Sequence, residues 1–377
     1  MAQVDPYSVA GPIREIEVPG GPRAWLITRY EEARQALNDP RLSKTAPGLR
    51  VGPIGADTRA ATFRHMLATD PPDHTRLRRL VSAAFTARRI EALRPRIQQI
   101  SDDLLDSLKG EERTDLIDSY AFPLPIQVIC ELLGLPDEDR DTFRSWTNVI
   151  VGGPAYGDRL PGAMRDLVAY TRELLAERRE RPGDDLLSGL ISARDDQDRL
   201  SEDELTSMVF LLLIAGHETT VNLIGNGAML LLADRSRWER LGADRSLLPA
   251  AIEEFLRYEG PVAYATSRFT TEPMEIGGQD LPAGVPVIVG LAGANRDSAR
   301  FDDAGDFDLS REQNPHLGFG HGIHYCLGAP LARLEAQIAF TGLLDRFPRM
   351  RLDGTVDELR WRPGMLLRGL FHLPVTL

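Results

Sequence analysis

His321-Gly322-Ile323-His324-Tyr325-Cys326-Leu327-Gly328 carries one of only two cysteines in a chain of 377 residues, the other being Cys130. That count sets aside disulfide frameworks and multi-cysteine metal sites. Around Cys326 the sequence concentrates Gly318, Gly320, Gly322 and Gly328, an aromatic at Phe319 and two histidines. Glycine has no Cβ, so backbone this rich in it can lie against something large and flat. Cys326 therefore reads as a ligand-bearing residue. Cys130, inside the apolar run Val128 to Leu133, reads as packing.

The bulk of the chain narrows the classes. Its 42% hydrophobic and 27% charged residues are ordinary for a soluble globular protein, and its length allows a core able to enclose a cofactor. A net charge of −12 argues against non-specific nucleic-acid binding, which needs a basic footprint. Positive charge is almost all arginine, with Lys44 and Lys109 the only lysines. Met1 to Pro22 is polar and rich in Pro and Gly, unlike a signal or anchor, and the longest apolar run, Met208 to Gly216, is short of a membrane span. The expectation is a soluble cytoplasmic protein with reduced cysteines. No internal repeat or low-complexity linker divides the chain, so residues 1–377 are expected to form one domain.

Local signals make the chain mainly helical with a minor β region. A strand is expected at Ala24–Thr28 and helices at Tyr30–Asn38, Thr69–Ala84, Arg89–Leu108, Pro125–Leu133, Asp137–Ile150, Gly162–Glu180 and Asp185–Ala193. Ser201 and Glu204 have the spacing of a capping box and open a long helix through Leu232. Leu247–Tyr258 and a segment from just after Cys326 to Phe347 read as further helices. Val262–Phe269, Met274–Ile276 and Val285–Val289 read as strands. The aperiodic segment Lys44–Leu67 is expected to be a flexible lid.

Several polar residues sit where burial needs a reason. Ala215-Gly216-His217-Glu218-Thr219-Thr220 interrupts the apolar stretch of the long helix, and a carboxylate there is costly unless it has a task such as relaying protons. A zinc-protease HExxH is ruled out, because Val221 stands where the second histidine is required. His74 and Arg78 are four apart on one helix and point to one side. Arg268 follows a short strand, and His324 lies two before the cysteine; arginine offers a planar fork suited to carboxylates. Glu254 and Arg257 have the spacing of an intrahelical ion pair.

The run Phe319-x-x-Gly322-x-x-x-Cys326-x-Gly328 resembles the haem-ligand loop of the cytochrome P450 family, and the likeness extends from Trp25 to Val375. A thiolate is a strong soft ligand for haem iron and donates electron density that favours O–O cleavage. The resemblance implies the cytochrome P450 fold, a single haem-enclosing domain, and haem b held by Cys326 with Phe319 beside it. It further implies that His74, Arg78, Arg268 and His324 contact the haem propionates, and that Glu218 and Thr219 deliver protons while O2 is activated. Glu254 and Arg257, joined by Arg311, would brace the cysteine loop, although the fuller Pro-Glu-Arg form of some relatives is absent. Leu212, Ala215, Val262, Ala265, Met365 and Leu366 would line a chamber for a hydrophobic small molecule.

The implied activity is monooxygenation, by hydroxylation or epoxidation of a bulky natural product such as a polyketide, macrolide, terpenoid or steroid. No flavin or iron–sulfur segment is attached, so electrons would come from a ferredoxin and an NAD(P)H-dependent reductase, with Arg76, Arg79 and Arg333 as candidate contacts. A monomer free of membrane and nucleic acid is expected. One departure is that Asp5-Pro6-Tyr7 runs almost directly into Gly11-Pro12-Ile13, which puts the usual N-terminal helix in doubt. Two other classes compete. A cysteine-nucleophile hydrolase using Cys326 with His324 or His321 leaves the cations and the Glu218–Thr219 pair without a task. A haem-binding sensor or carrier does not need that pair.

Overall fold

The computed structural model describes residues 6–7, 11–18, 22–45, 55–82, 85–135, 140–183, 185–192 and 200–377. Its central element is the helix Glu202–Leu232. The capping box forms: Ser201 Oγ accepts from the Glu204 amide at 3.3 Å, and the Glu204 carboxylate accepts from the Ser201 amide at 2.8 Å. Among the described residues this is the one helix long and apolar enough to cross a membrane, but it is wrapped by protein. Helices Ala56–Phe63, Pro123–Leu133, Arg159–Glu180, Leu248–Tyr258 and Ala329–Arg346 pack around it and bury its apolar residues in one large core.

A five-stranded sheet flanks this bundle in the order Ile13–Glu17, Arg23–Ile27, Pro286–Val289, Arg268–Thr270, Leu42–Ser43. Trp25 lies opposite Val287 in the parallel pair, Arg268 opposite Val287 and Leu42 opposite Thr270 in antiparallel ones. This register sets the ends of the last two strands, and so Lys44 and Arg268, at one corner. A three-stranded sheet joins Arg113–Asp115, Pro374–Thr376 and Arg351–Leu352. Met274–Ile276 pairs with Gln279–Leu281 across Gly277 and Gly278, whose φ values of 57° and 78° suit a tight hairpin turn. The molecule is thus mainly α with a minor β region.

Four expectations are corrected in detail. The helix expected from Thr69 begins at Asp73, because Thr69 bonds back to the His65 carbonyl and Asp70 accepts from Ser43, Lys44 and Thr45. Arg89–Leu108 is two helices, Ala87–Ala92 and Arg94–Ser107, divided where Pro95 supplies no amide for an interior hydrogen bond. Val262–Phe269 is not a continuous strand. Val262 and Tyr264 form isolated bridges, and the Thr266 carbonyl is taken by the Lys44 amine nitrogen, at 2.9 Å, before a strand starts at Arg268. Within the expected lid, 46–54 lie outside the described residues, but Ala56–Phe63 is a helix against the long one. Its buried positions, Thr58, Ala61 and Thr62, are too small or polar to register as a hydrophobic stripe. Among the described residues the first helix is Tyr30–Asn38, preceded by the strand pair Ile13–Glu17 and Arg23–Ile27.

Candidate active site

The cysteine loop is built by glycine. Gly320 and Gly322 have φ of 74° and 72°, and a Cβ on Gly322 would fall 2.9 Å from the Leu37 carbonyl at the end of helix Tyr30–Asn38. One short helical turn, Gly322–His324, follows, and the Cys326 amide donates to the Phe319 carbonyl at 2.9 Å. Cys326 keeps accessible surface at the end of this loop. Burial pushes the thiol pKa up; the Gly328 and Ala329 amides, with Arg78 and Arg333, oppose that by favouring the thiolate. Helix Ala329–Arg346 then carries the chain back into the core.

Behind the loop stands a buried ionic cluster. Glu254 and Arg257, both fully buried, make paired bonds of 2.6 and 2.7 Å. Arg257 also donates to the carbonyls of Asn295, Ala304 and Asp306. Arg311 Nε approaches Glu254 Oε2 to 3.2 Å, while the Asp308 amide and Asn314 Nδ2 also donate to this carboxylate. Every oxygen of Glu254 is therefore engaged, as a buried charge requires. Phe319 lies under the Arg333 guanidinium, 4.5 Å from its ring centre, and Arg333 is itself clamped by Glu253 at 2.6 and 2.8 Å.

His74, Arg78, Arg268 and His324 are brought together from three parts of the chain. The His74 and His324 rings meet edge to face at 4.5 Å. Both imidazole pKa values are lowered first by burial, His324's to about 3. Arg268 is buried, its pKa drawn down to about 10 by desolvation, and Asp70 is the carboxylate that opposes this. Arg78 donates to the Tyr325 carbonyl at 2.6 Å. The His74 ring is buried with no side-chain hydrogen-bond partner, the Ile323 backbone being its polar neighbour. Buried cations with so little negative charge fit a dianionic ligand. Together with an accessible cysteine on a glycine loop, they fit haem, whose iron Cys326 would hold and whose carboxylates two guanidinium cations, Arg78 and Arg268, and two imidazoles, His74 and His324, would face.

On the long helix, everything from Leu205 to Leu232 is buried except Ile214, Ala215, Gly216 and Thr219. Thr219 Oγ1 donates to the Ala215 carbonyl at 2.8 Å. Glu218 is buried, its Oε2 3.5 Å from Arg362 Nη1 and its Oε1 without a hydrogen-bond partner. His217 bonds the Leu213 carbonyl through Nδ1 and turns Nε2 toward Glu218 Oε1, 3.8 Å away. Elsewhere, Ala263 donates to the Leu366 carbonyl and Val262 bridges Leu367, so 262–265 and 365–367 run side by side. Val262, Ala265 and Met365 are half-buried and Leu366 is exposed. Leu212 is buried and Ala215 accessible on the same helical face.

Three neighbours of the site carried no motif. Arg362 meets Glu218 from a loop far away in sequence; Asp70 ties the Lys44 segment to the His74 helix; and Lys44 was visible only as one of two lysines. Two arginines suggested for a redox partner already have partners within the chain: Arg76 pairs with Glu204, Arg333 with Glu253.

A helical fold that sets a single cysteine on a glycine loop beneath a cluster of buried cations defines a haem-thiolate protein. The cytochrome P450 family model matches residues 235–367. Cytochrome P450 107B1 of Saccharopolyspora erythraea is 54% identical over 97% of this chain and 92% of its own. The 6-deoxyerythronolide B hydroxylase of the same organism is 46% identical over 95% and 91%. The structure of the tirandamycin C-bound P450 monooxygenase TamI superposes with a TM-score of 0.91 at 50% identity, covering 97% of this chain and 94% of that one. The chain belongs to the cytochrome P450 family, and is accordingly a haem b monooxygenase.

Proposed function

We propose that this protein is a monomeric cytoplasmic monooxygenase that hydroxylates or epoxidises a bulky hydrophobic natural product, of the polyketide or macrolide kind, with electrons from a ferredoxin and its NAD(P)H-dependent reductase. One observation carries the reading: an otherwise buried helix opens a single patch at Ala215, Gly216 and Thr219 beside an acid. The names of the relatives, a 6-deoxyerythronolide B hydroxylase and a tirandamycin C-bound monooxygenase, support the substrate class.

Haem supplies the redox iron at which dioxygen is activated, one oxygen atom entering the substrate and the other leaving as water with two electrons and two protons. Cys326 would give its sulfur to the iron; burial favours the neutral thiol, so the thiolate would depend on the metal, with the Gly328 and Ala329 amides assisting. His74, Arg78, Arg268 and His324 orient the cofactor through its carboxylates. Thr219 presents its hydroxyl to the open patch, and Glu218 exchanges protons with it through water. Glu254, Arg257 and Arg311 brace the cysteine loop. Leu212, Ala215, Val262, Ala265, Met365 and Leu366 form the apolar surface against which substrate lies.

The test is to titrate the holoprotein with macrolactones and linear polyketides, reading the spin-state shift of the Soret band, and then to add ferredoxin, reductase and NAD(P)H. A ligand that shifts the band and gains one oxygen atom is expected. Absence of any oxygenated product across the series, with turnover of fatty acids instead, would overturn the substrate class.

A further inference from the structure

Lys44 is one of two lysines in the chain and is nine-tenths buried. Its amine nitrogen donates to Thr266 Oγ1 at 2.6 Å and to the Thr266 carbonyl at 2.9 Å. Arg268 Nη1 approaches the same carbonyl, at 3.4 Å, so amine and guanidinium converge on one atom. The charged or titratable groups facing Lys44 are Arg268 and Asp70, with His65 and His324, on each of which Lys44 acts to lower the pKa. The Asp70 carboxylate is already engaged by Ser43 Oγ and by the Lys44 and Thr45 segment. Among the described residues, Lys44, Arg78 and Arg268 thus stand at this corner against one carboxylate, Asp70. Two haem carboxylates would bring three positive charges and one negative to neutrality; without Lys44 the corner would be left with a net negative charge.

We infer that Lys44 is a third cation of the haem-carboxylate site and that it takes up a proton when haem binds. The inference rests on the assignment of that site to His74, Arg78, Arg268 and His324. The proton comes from solvent, and no bond other than N–H forms. Without the dianion, burial and then Arg268 depress the amine's pKa to about 6, so the neutral form prevails at neutral pH. Adding two negative charges restores the ammonium.

Haem is titrated calorimetrically into apoprotein at about pH 7.5 in two buffers of different ionisation enthalpy, and the protons exchanged are taken from the difference. Wild type is expected to take up about one proton per haem more than Lys44→Met, whereas Lys109→Met matches wild type. Haem should also leave Lys44→Met several-fold faster. Equal proton exchange in wild type and Lys44→Met overturns the inference. Lys44→Arg keeps it testable should Lys44→Met fail to fold: a permanent cation should hold haem without the extra proton, and wild-type uptake in that variant is equally fatal. Haem dimethyl ester separates the two levels. If the ester binds as tightly as the free acid, the carboxylate site itself is wrong. If it binds more weakly while Lys44 changes nothing, the site stands and only the role of Lys44 falls.

Discussion

Glu218 and Thr219 are neighbours in the chain, yet their side chains end in different surroundings. The Glu218 carboxylate is buried 3.5 Å from Arg362, while the Thr219 hydroxyl faces the open patch and donates to the Ala215 carbonyl. Successive residues on a helix are about 100° apart, so an adjacent acid and alcohol point little more than a quarter turn apart, into different surroundings.

This division of places predicts separable defects. Thr219→Ala should leave haem and substrate binding intact but divert electrons from product, so that oxygenated product per NAD(P)H falls and peroxide rises. Glu218→Gln should slow the oxygenation step by about 10²-fold, the usual scale for loss of a positioned proton donor. Product and peroxide measured against NAD(P)H consumed check both, and unchanged coupling in Thr219→Ala would remove that residue from proton delivery.

Replacing the sulfur distinguishes ligand from packing. Cys326→Ser should still bind haem through the cations at its carboxylate end, but lose the red-shifted Soret band that a thiolate gives the reduced carbon monoxide complex. Cys130→Ser should keep that band, since Cys130 is buried in the apolar helix Pro123–Leu133.

The buried Glu254–Arg257 pair should be intolerant of half-removal. Glu254→Ala strips the buried Arg257 guanidinium of its carboxylate and takes one from Arg311, and removal of one partner of such a buried pair costs about 3–5 kcal/mol. Reduced yield of folded holoprotein and a lower urea midpoint are expected. Glu254→Gln should recover only part of the loss, because it keeps the shape but not the charge.

Acid stability should carry the mark of Glu253. Burial raises its pKa, but the bonds from Arg333 and His316 outweigh this and hold it at about 2, against an ordinary 4.5. A depressed carboxylate adds stability that is complete above its unfolded pKa and drains away as pH falls from 4.5 toward 2. Glu253→Gln should therefore flatten the stability curve across that window. Urea unfolding at a series of pH values is the measurement, and an unchanged slope would refute the assignment.

Gly322→Ala should disturb haem retention without unfolding the protein. The residue sits at φ 72°, and a methyl group would press on the Leu37 carbonyl at 2.9 Å, displacing the loop that carries Cys326. Haem loss to an acceptor protein should accelerate, while the far-ultraviolet circular dichroism stays unchanged.

By itself the sequence determined the long helix, since a capping box and thirty residues of sustained helical pattern need no partner to be recognised. It also marked the stretch around Cys326 as a candidate ligand loop, because a cysteine set among so many glycines is an unusual local pattern. Both signals are local, encoded within a few turns of chain. Tertiary structure alone decided that Arg362 reaches Glu218, that Asp70 binds the Lys44 segment, and that 262–265 run beside 365–367 as bridges. Those relations join residues up to 144 positions apart, and their energies come from burial and charge compensation. Neither exists until the chain has closed around its core.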